Sequence, residues 1–142
     1  MATTRGTIMG LVDTALKTIA AGATYTTNLG SKVYEWRAAP LDDATSLPAC
    51  SYRDTLSTRF ISTNVWLNTI NLEITVFANT AAVVRSCVGD LIICIGANKT
   101  WGGNAISSQY VSEDTGVEQH NKLVFISRVS FAIQYQTTYW TA

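Results

Sequence analysis

The chain has 142 residues, the size of one ordinary domain, and 47% of them are hydrophobic whereas only 14% are charged. Typical domains carry about 25% charged residues, so we expect part of this surface to be covered by another chain. The ten basic and ten acidic side chains cancel, and neither sign forms a run that would attract a phosphate backbone or an anionic membrane. We therefore expect one domain, 1–142, with no membrane partner and no sequence-specific nucleic-acid partner.

Targeting segments and cysteines give further expectations. The longest apolar run, around Val88–Ile95, is interrupted by a glycine and an aspartate and is shorter than the ~20 residues that cross a bilayer. The first ten residues lack the pattern of a signal peptide, which predicts a cytosolic chain. The three cysteines, Cys50, Cys87 and Cys94, have no CxxC spacing. We expect them to be reduced and buried, a reactive thiol or a bridge being the alternative.

The first predicted element is an amphipathic helix from Thr4 to Ala21, ended by Gly22. Its start is capped by Thr3 or Thr4. The apolar residues that recur at the i, i+3, i+4, i+7 spacing are Ile8, Leu11, Val12, Ala15, Leu16 and Ile19.

Three strands are predicted next. Val33–Arg37 is the first, and Leu47–Thr55 is the second, with Pro48 near its start, where a missing N–H is tolerated. Leu56–Asn68 alternates too irregularly for a core strand and predicts an extended or hairpin-like excursion. The third strand has one buried side, formed by Ile70, Leu72, Ile74, Val76 and Ala78.

A second helix is predicted to begin after Thr80 and to end at Ala97–Asn98. Its apolar stripe is wide, and Arg85 and Asp90 are expected on its solvent side. The glycine-bearing loop that follows, Lys99–Ser108, is expected to display a tryptophan.

Two strands close the chain. They are Gln109–Ser112 and Leu123–Tyr135, joined through a turn at Thr115–Gly116. Because the last strand is long, we expect it to be bent, bulged or extended past the body of the fold. The element order αβββαββ predicts an α+β fold, with a mostly antiparallel sheet and both helices on one face.

Motifs for catalysis and metal binding are not found. The only histidine is His120, and the acidic pair Asp42–Asp43 lies in a turn next to a proline, where solvated carboxylates are common. The sequence contains no GxGxxG, GxxxxGK[ST], HExxH or GxSxG. We therefore expect no catalytic, cofactor or metal site, and a protein that is not an enzyme.

Aromatic and aliphatic side chains outside the regular elements are the remaining signal. Such residues anchor protein interfaces, although one or two could instead fold back over the sheet. The candidate interface residues are Arg59, Phe60, Trp66, Trp101, Tyr139 and Trp140.

The amino-acid sequence of residues 33–55 resembles that of a known family. The segments VYEWRAAPL, LPACSYRDT and LEITVFA, preceded by one amphipathic helix and followed by another, are similar to tail terminator proteins of long-tailed bacteriophages. The likeness extends over about residues 5–98. The positions that match its motifs are Tyr34, Trp36, Arg37, Pro40, Leu41, Leu47, Pro48 and Arg53.

The resemblance implies a non-enzymatic virion protein without cofactors. Members of that family form a six-fold ring on the head-proximal end of the tail tube, stop its polymerisation and join it to the head-side connector. The implied partners are other copies of the chain, the tail tube protein and the connector protein. The implied location is the virion tail, after assembly in the host cytoplasm.

Two alternatives stay open. The first is another structural protein of the same virion, either a head–tail joining (neck) protein or a tube subunit, although two helices argue against a tube. The second is a small cytosolic α+β enzyme or ligand-binding domain. That function would need polar groups that converge near Tyr52, Arg53, Arg128 and His120.

Overall fold

The computed structural model describes residues 3–36, 47–119 and 123–138. It has the predicted α+β class, with two helices and one five-stranded sheet. Two short 3₁₀ helices, Leu29–Ser31 and Trp101–Gly103, add to the predicted order. The helices and strands, in chain order, are α1 (Thr4–Leu16), β1 (Val33–Glu35), β2 (Ala49–Ser62), β3 (Val65–Ala78), α2 (Ala81–Ala97), β4 (Ser107–Gln119) and β5 (Leu123–Thr138).

The sheet has the strand order β1-β2-β3-β5-β4. The pairs β2–β3, β3–β5 and β4–β5 are antiparallel, whereas β1 is parallel to β2. The prediction of a mostly antiparallel sheet is therefore met in part. Parallel strands need a connection longer than a hairpin turn, and the proline-bearing sequence between β1 and β2 is long enough to provide one.

One face of the sheet, which we call the helix face, is buried under both helices. The predicted alternation in β3 is confirmed, because every second residue from Ile70 to Ala78 is fully buried. Residues at matching positions of β5, such as Val129 and Ile133, continue this surface. The helix residues buried in the same cluster include Ile8, Val12 and Leu16 of α1 and Cys87, Leu91 and Cys94 of α2. The opposite face, which we call the polar face, carries side chains such as Ser51, Glu73 and Arg128.

Helix α1 ends at Leu16 instead of Ala21. The chain after it turns toward Gly30, whose N–H donates to the carbonyl of Ile19 at 2.9 Å. A Cβ at Gly30 would lie 2.7 Å from the carbonyl oxygens of both Lys17 and Ile19. Ile19 is buried without being helical. Its place in the helical spacing therefore predicted its burial correctly and its secondary structure wrongly.

Helix α2 has the predicted bounds, and Thr80 caps it by accepting from the N–H of Val83 at 3.3 Å. The expected solvent position of Asp90 is wrong, because that residue is only 1% exposed. Its carboxylate accepts from the N–H of Thr26 at 2.9 Å, the N–H of Thr27 at 2.8 Å and the hydroxyl of Thr27 at 2.6 Å. Asp90 thus ties the segment after α1 to α2, since a buried carboxylate needs such donors.

One segment, Ala81–Gly103, is long and apolar enough to cross a membrane by length and composition alone. A core helix passes the same test. In this fold, Val84, Cys87 and Leu91 of α2 are buried, and the helix lies against β3 and β5.

Strand β4 is much longer than the predicted Gln109–Ser112. The expected turn at Thr115–Gly116 is wrong, because both residues lie within β4 and pair with Ser127 and Ile126 of β5. Pairing along a neighbouring strand outweighs the local turn preference of a Thr-Gly pair. Of the expected alternatives for the last strand, extension agrees with the structure, because β5 runs to Thr138 and pairs there with Val65 near the hairpin turn. It is regular toward β3, and the register shifts occur in β4, between Tyr110 and Ser112, and in β2.

Candidate protein interface

The end of the hairpin that β2 and β3 form is exposed at every residue from 55 to 64. The predicted hairpin-like excursion is confirmed, but β2 is a single strand that runs through Thr55 to Ser62. Thr63 and Asn64 make the turn, and Asn64 has φ +67°, a left-handed conformation that asparagine tolerates. We call the hairpin segment Leu56–Asn68 the arm.

Two of the predicted interface residues meet on the arm. Phe60 of β2 lies opposite Trp66 of β3 in the ladder. Phe60 is 57% exposed, and Trp66 is half-buried. Leu56 and Ile61 are also exposed apolar side chains of this segment. The arm therefore presents a concentration of apolar surface that a second protein could cover.

A polar network on the helix face stiffens the arm. Thr58 donates its hydroxyl to Asn68 Oδ1 at 2.9 Å, and Asn68 Nδ2 donates to Thr137 Oγ1 at 2.8 Å. The network crosses β2, β3 and β5, and both Asn68 and Thr137 are buried. Sequence reasoning missed it because asparagine is a common loop residue. The signal that could have indicated its burial is that Asn68 lies two residues before Ile70 and therefore on the same face of the strand.

Arg59 lies on the other side of the arm. Successive residues of a strand point to opposite faces, so the side chain of Arg59 is on the polar face, opposite Leu67. Its surroundings include Ser57, Thr69 and Gln134, which line a shallow cleft of about 220 Å³ with it. The structure therefore separates Arg59 from the Phe60–Trp66 pair, although the three residues belong to one hairpin.

Trp101 is not displayed, and this prediction is wrong. The residue is 2% exposed, and its indole Nε1 donates to Ser108 Oγ at 2.8 Å. Ser108 in turn donates to the carbonyl of Lys99 at 2.8 Å. The backbone at 101–103 has positive φ throughout, and the two glycines permit this left-handed course. Trp101 therefore belongs to the core instead of to a contact surface.

The remaining two candidate interface residues, Tyr139 and Trp140, lie outside the described residues. Other apolar side chains are exposed at positions that were not among the candidate interface residues. Strand β4 shows Tyr110 and Val117, and α2 shows Ile92 and Ile93. Tyr110, Ile92 and Ile93 were missed because they belong to predicted regular elements, where apolar residues are expected to face the core. Val117 was missed because it fell in the predicted connection between the last two strands.

The polar face bears on the ligand-binding alternative. A cleft of about 410 Å³ is lined there by side chains that include Trp36, Arg53, Glu73 and Arg128. Arg53 Nη2 lies 3.1 Å from Glu73 Oε1. Tyr52 also lines this cleft, but its hydroxyl is directed to the helix face, where it donates to Asp13 Oδ1 at 2.8 Å.

The groups named for that alternative are thus divided between the two faces. Burial, together with the contact to Asp13, raises the pKa of Tyr52, which keeps its hydroxyl in the donor form. His120 lies outside the described residues.

The cysteines are buried and free, as predicted. Burial raises the pKa of Cys50 to about 12 and that of Cys87 to about 11. Both thiols are therefore neutral near pH 7, whereas the thiolate is the nucleophile and the metal ligand. Within residues 3–36, 47–119 and 123–138, no three His, Cys, Asp or Glu side chains form a group that could hold a metal ion.

Comparison with protein-family models gives no match, and comparison with curated proteins gives no significant match. The function is therefore argued from geometry. The arm combines exposed apolar side chains with a backbone held by β5 and by the Asn68 network. A rigid support of this kind lowers the entropy lost on binding a partner.

Proposed function

We propose that this chain is a tail terminator subunit of a long-tailed bacteriophage. Its copies form a ring, hexameric as in the family it resembles, at the head-proximal end of the tail tube. The ring stops tube polymerisation and joins the tube to the head-side connector. The protein acts as a structural component of the virion, with no catalytic step.

The observation that carries this proposal is the exposed apolar surface of the arm. Phe60 is 57% exposed on a strand whose first half is buried. Full burial of one such side chain contributes roughly 1.5–3 kcal/mol, so a ring contact that repeats in every subunit gains substantially from it. The low charge of the chain, 14%, agrees with a surface that neighbours cover.

A ring also accounts for apolar surface on more than one side of the molecule. A head-to-tail contact uses two different patches of each copy. The arm supplies one patch at the end of the sheet. Strand β4, which exposes Tyr110 and Val117 at the opposite edge of the sheet, is available for the other.

The first test is the solution mass of the purified protein by light scattering over a concentration series. We expect a ring-sized species, or a monomer that becomes one when tail-tube protein from the same genome is added. Trp66→Ala and deletion of 139–142 should both weaken assembly, whereas Ile92→Ala, at an exposed position away from the arm, should not. An unchanged assembly mass for both arm and tail variants would contradict the role of these segments.

The second test measures tube length by electron microscopy, with the chain added during tube polymerisation. Shorter tubes that carry extra density at one end support termination. Tubes that grow unchanged contradict it. Binding to the head-side connector protein without an effect on tubes would favour the alternative of a neck protein.

The cleft on the polar face favours a second candidate, a domain that binds a small anionic ligand beside Arg53 and Arg128. A screen of anionic metabolites by thermal shift tests it directly. A ligand that raises Tm for the unmodified chain, but not for Arg53→Gln, would support this candidate. If the chain stays monomeric when tube protein is added and binds such a ligand, the terminator proposal is contradicted and the ligand-binding function takes its place.

A further inference from the structure

Two strand edges are open in the described part of the chain. Strand β4 pairs only with β5 there. Strand β2 pairs with β1 between Cys50 and Tyr52, and from Arg53 onward its described partner is β3 alone. Open edges present unpaired N–H and C=O groups, which readily add a strand from another chain.

The two open edges match in length and regularity. The irregularity of β4 lies between Tyr110 and Ser112, so its regular part is Ser112–Gln119. The irregularity of β2 follows Phe60, so its regular open part is Arg53–Phe60. Both stretches have the same number of residues. Matching the faces of the two sheets places residues 113–119 opposite residues 54–60, a pairing of seven residues without a bulge.

Strand direction also favours pairing between copies in the same orientation. Because β2, β3, β5 and β4 are successively antiparallel, β4 runs opposite to β2. When two copies lie side by side in one orientation, β4 of the first is thus antiparallel to β2 of the second. The helix faces of the two sheets then lie on the same side. This is a heterologous contact, the type that generates rings.

Charge distinguishes this contact from a symmetric pairing of β4 with β4. Residues 107–119 contain three acidic side chains and no basic one, so like charges would accumulate across a β4–β4 joint. The open part of β2 carries Arg59, which is exposed. The acidic residue on that stretch, Asp54, is already paired with Arg5 at 2.6 Å. The net charge of β2 at this edge is therefore complementary to that of β4.

We propose that β4 of one copy pairs antiparallel with the Arg53–Phe60 edge of β2 in the next copy, with Asp114 opposite Arg59. This register also places Val117 opposite Leu56. Both members of each pair lie on the same face: Asp114 and Arg59 on the polar face, Val117 and Leu56 on the helix face. Val117 and Leu56 are 54% and 40% exposed, and the joint buries them against each other. The inference rests on the ring assembly proposed above and specifies the contact between neighbouring copies, which we call the joint.

The register is tested by disulfide cross-linking between single-cysteine substitutions. Leu56→Cys and Val117→Cys are purified separately, mixed at the highest soluble concentration and oxidised. Directly opposite strand residues approach closely enough for a disulfide, so a mixed dimer should form that neither variant gives alone. The native cysteines are fully buried and should give no background. Tyr110→Cys mixed with Leu56→Cys is the off-register control and should not cross-link.

A charge exchange gives an independent readout. Arg59→Glu and Asp114→Arg should each reduce the assembled fraction in light scattering, and the double variant should restore it. Loss in both single variants without rescue would overturn the register. Dimers from Val117→Cys alone would overturn the head-to-tail contact in favour of a two-fold β4–β4 joint.

The outcomes separate this inference from the proposed function. If no mixed dimer forms but the chain still shortens tubes, the joint is wrong and the terminator function stands. If the mixed dimer forms but tubes grow unchanged, the joint stands and the terminator function fails.

Discussion

The two halves of β2 have opposite environments although they form one continuous strand. From Ala49 to Asp54, four of the six residues are buried, whereas every residue from Thr55 to Ser62 is exposed. Helix α1 accounts for the difference at the first half: its Arg5 reaches Asp54 and its Asp13 reaches Tyr52. The comparison teaches that one strand supports the fold at one end and offers a contact surface at the other.

Apolar residues recur on the helix face of β2 beyond the helices, interrupted by Asp54 and Thr58. On the helix face, β2 presents Cys50 and Tyr52 under α1 and then Leu56 and Phe60 on the arm. An apolar period-two pattern normally marks a face that is buried. The proposed ring contact assigns the cover of Leu56 and Phe60 to a second chain. The predictions below test this division, beginning with the largest expected effect.

The first prediction concerns the covered half of the sheet. Ile74 is fully buried in β3, so Ile74→Ala should lower the free energy of unfolding by roughly 2–5 kcal/mol through lost burial and a cavity. Urea unfolding of the monomeric species measures it. A loss below about 1 kcal/mol would mean that this half is not a tightly packed core.

The second prediction concerns the tether between α2 and the segment after α1. In Asp90→Asn, one carboxylate oxygen becomes an NH₂ group that faces a backbone N–H of Thr26 or Thr27. An unsatisfied buried donor costs about 1–3 kcal/mol, and we expect a loss of that size in thermal or urea unfolding. Arg85→Gln, an exposed change on the same helix, is the control and should stay within about 0.5 kcal/mol.

The third prediction concerns alkaline pH. Well below pH 9, the ordinary thiol pKa, both thiols are protonated in the folded and unfolded states. Above that, the unfolded thiols ionise while the folded ones stay neutral, because their pKa values are raised to about 12 for Cys50 and about 11 for Cys87. The unfolded state then binds fewer protons, so stability falls as pH rises.

The expected slope is on the order of 1 kcal/mol per thiol and pH unit. Cys87→Ala should make the slope above pH 9 shallower, whatever its effect at neutral pH. A free energy of unfolding that is constant from pH 8 to the pH at which the backbone unfolds would contradict the burial of these thiols.

The smallest stability effect is expected on the arm. Because Phe60 is more than half exposed, Phe60→Ser should change the free energy of unfolding of the monomer by no more than about 0.5 kcal/mol. Assembly measured by light scattering should nevertheless weaken. Full assembly of this variant would show that the exposed apolar end of β2 is not a contact surface.

Several elements of this protein could be predicted from sequence because their signals are local. The bounds of α2 follow from the cap at Thr80 and a wide apolar stripe, and the buried face of β3 follows from strict alternation. The candidate pair Phe60 and Trp66 was found because large aromatics are conspicuous in an otherwise polar stretch. Their direct opposition, however, depends on a hairpin register that composition does not reveal.

Other features were decided by distant contacts. Trp101 is buried because a left-handed turn and the hydroxyl of Ser108 direct its indole inward, while the sequence shows only a tryptophan beside two glycines. Asp90 is buried because two backbone N–H groups from the segment after α1 reach it. The partners of Asp90 lie 64 and 63 residues away, and Ser108, seven residues from Trp101, leaves no periodic signal either.

The sequence by itself determined the class of the fold, since helical and strand periodicities record which side of each element avoids water. It also determined that the chain is rich in apolar residues and poor in charge. Only the tertiary structure decided where α1 ends, which strands form the edges, and which half of β2 stays uncovered. Those properties depend on pairing between segments far apart in the chain, and pairing energy is shared across the whole sheet.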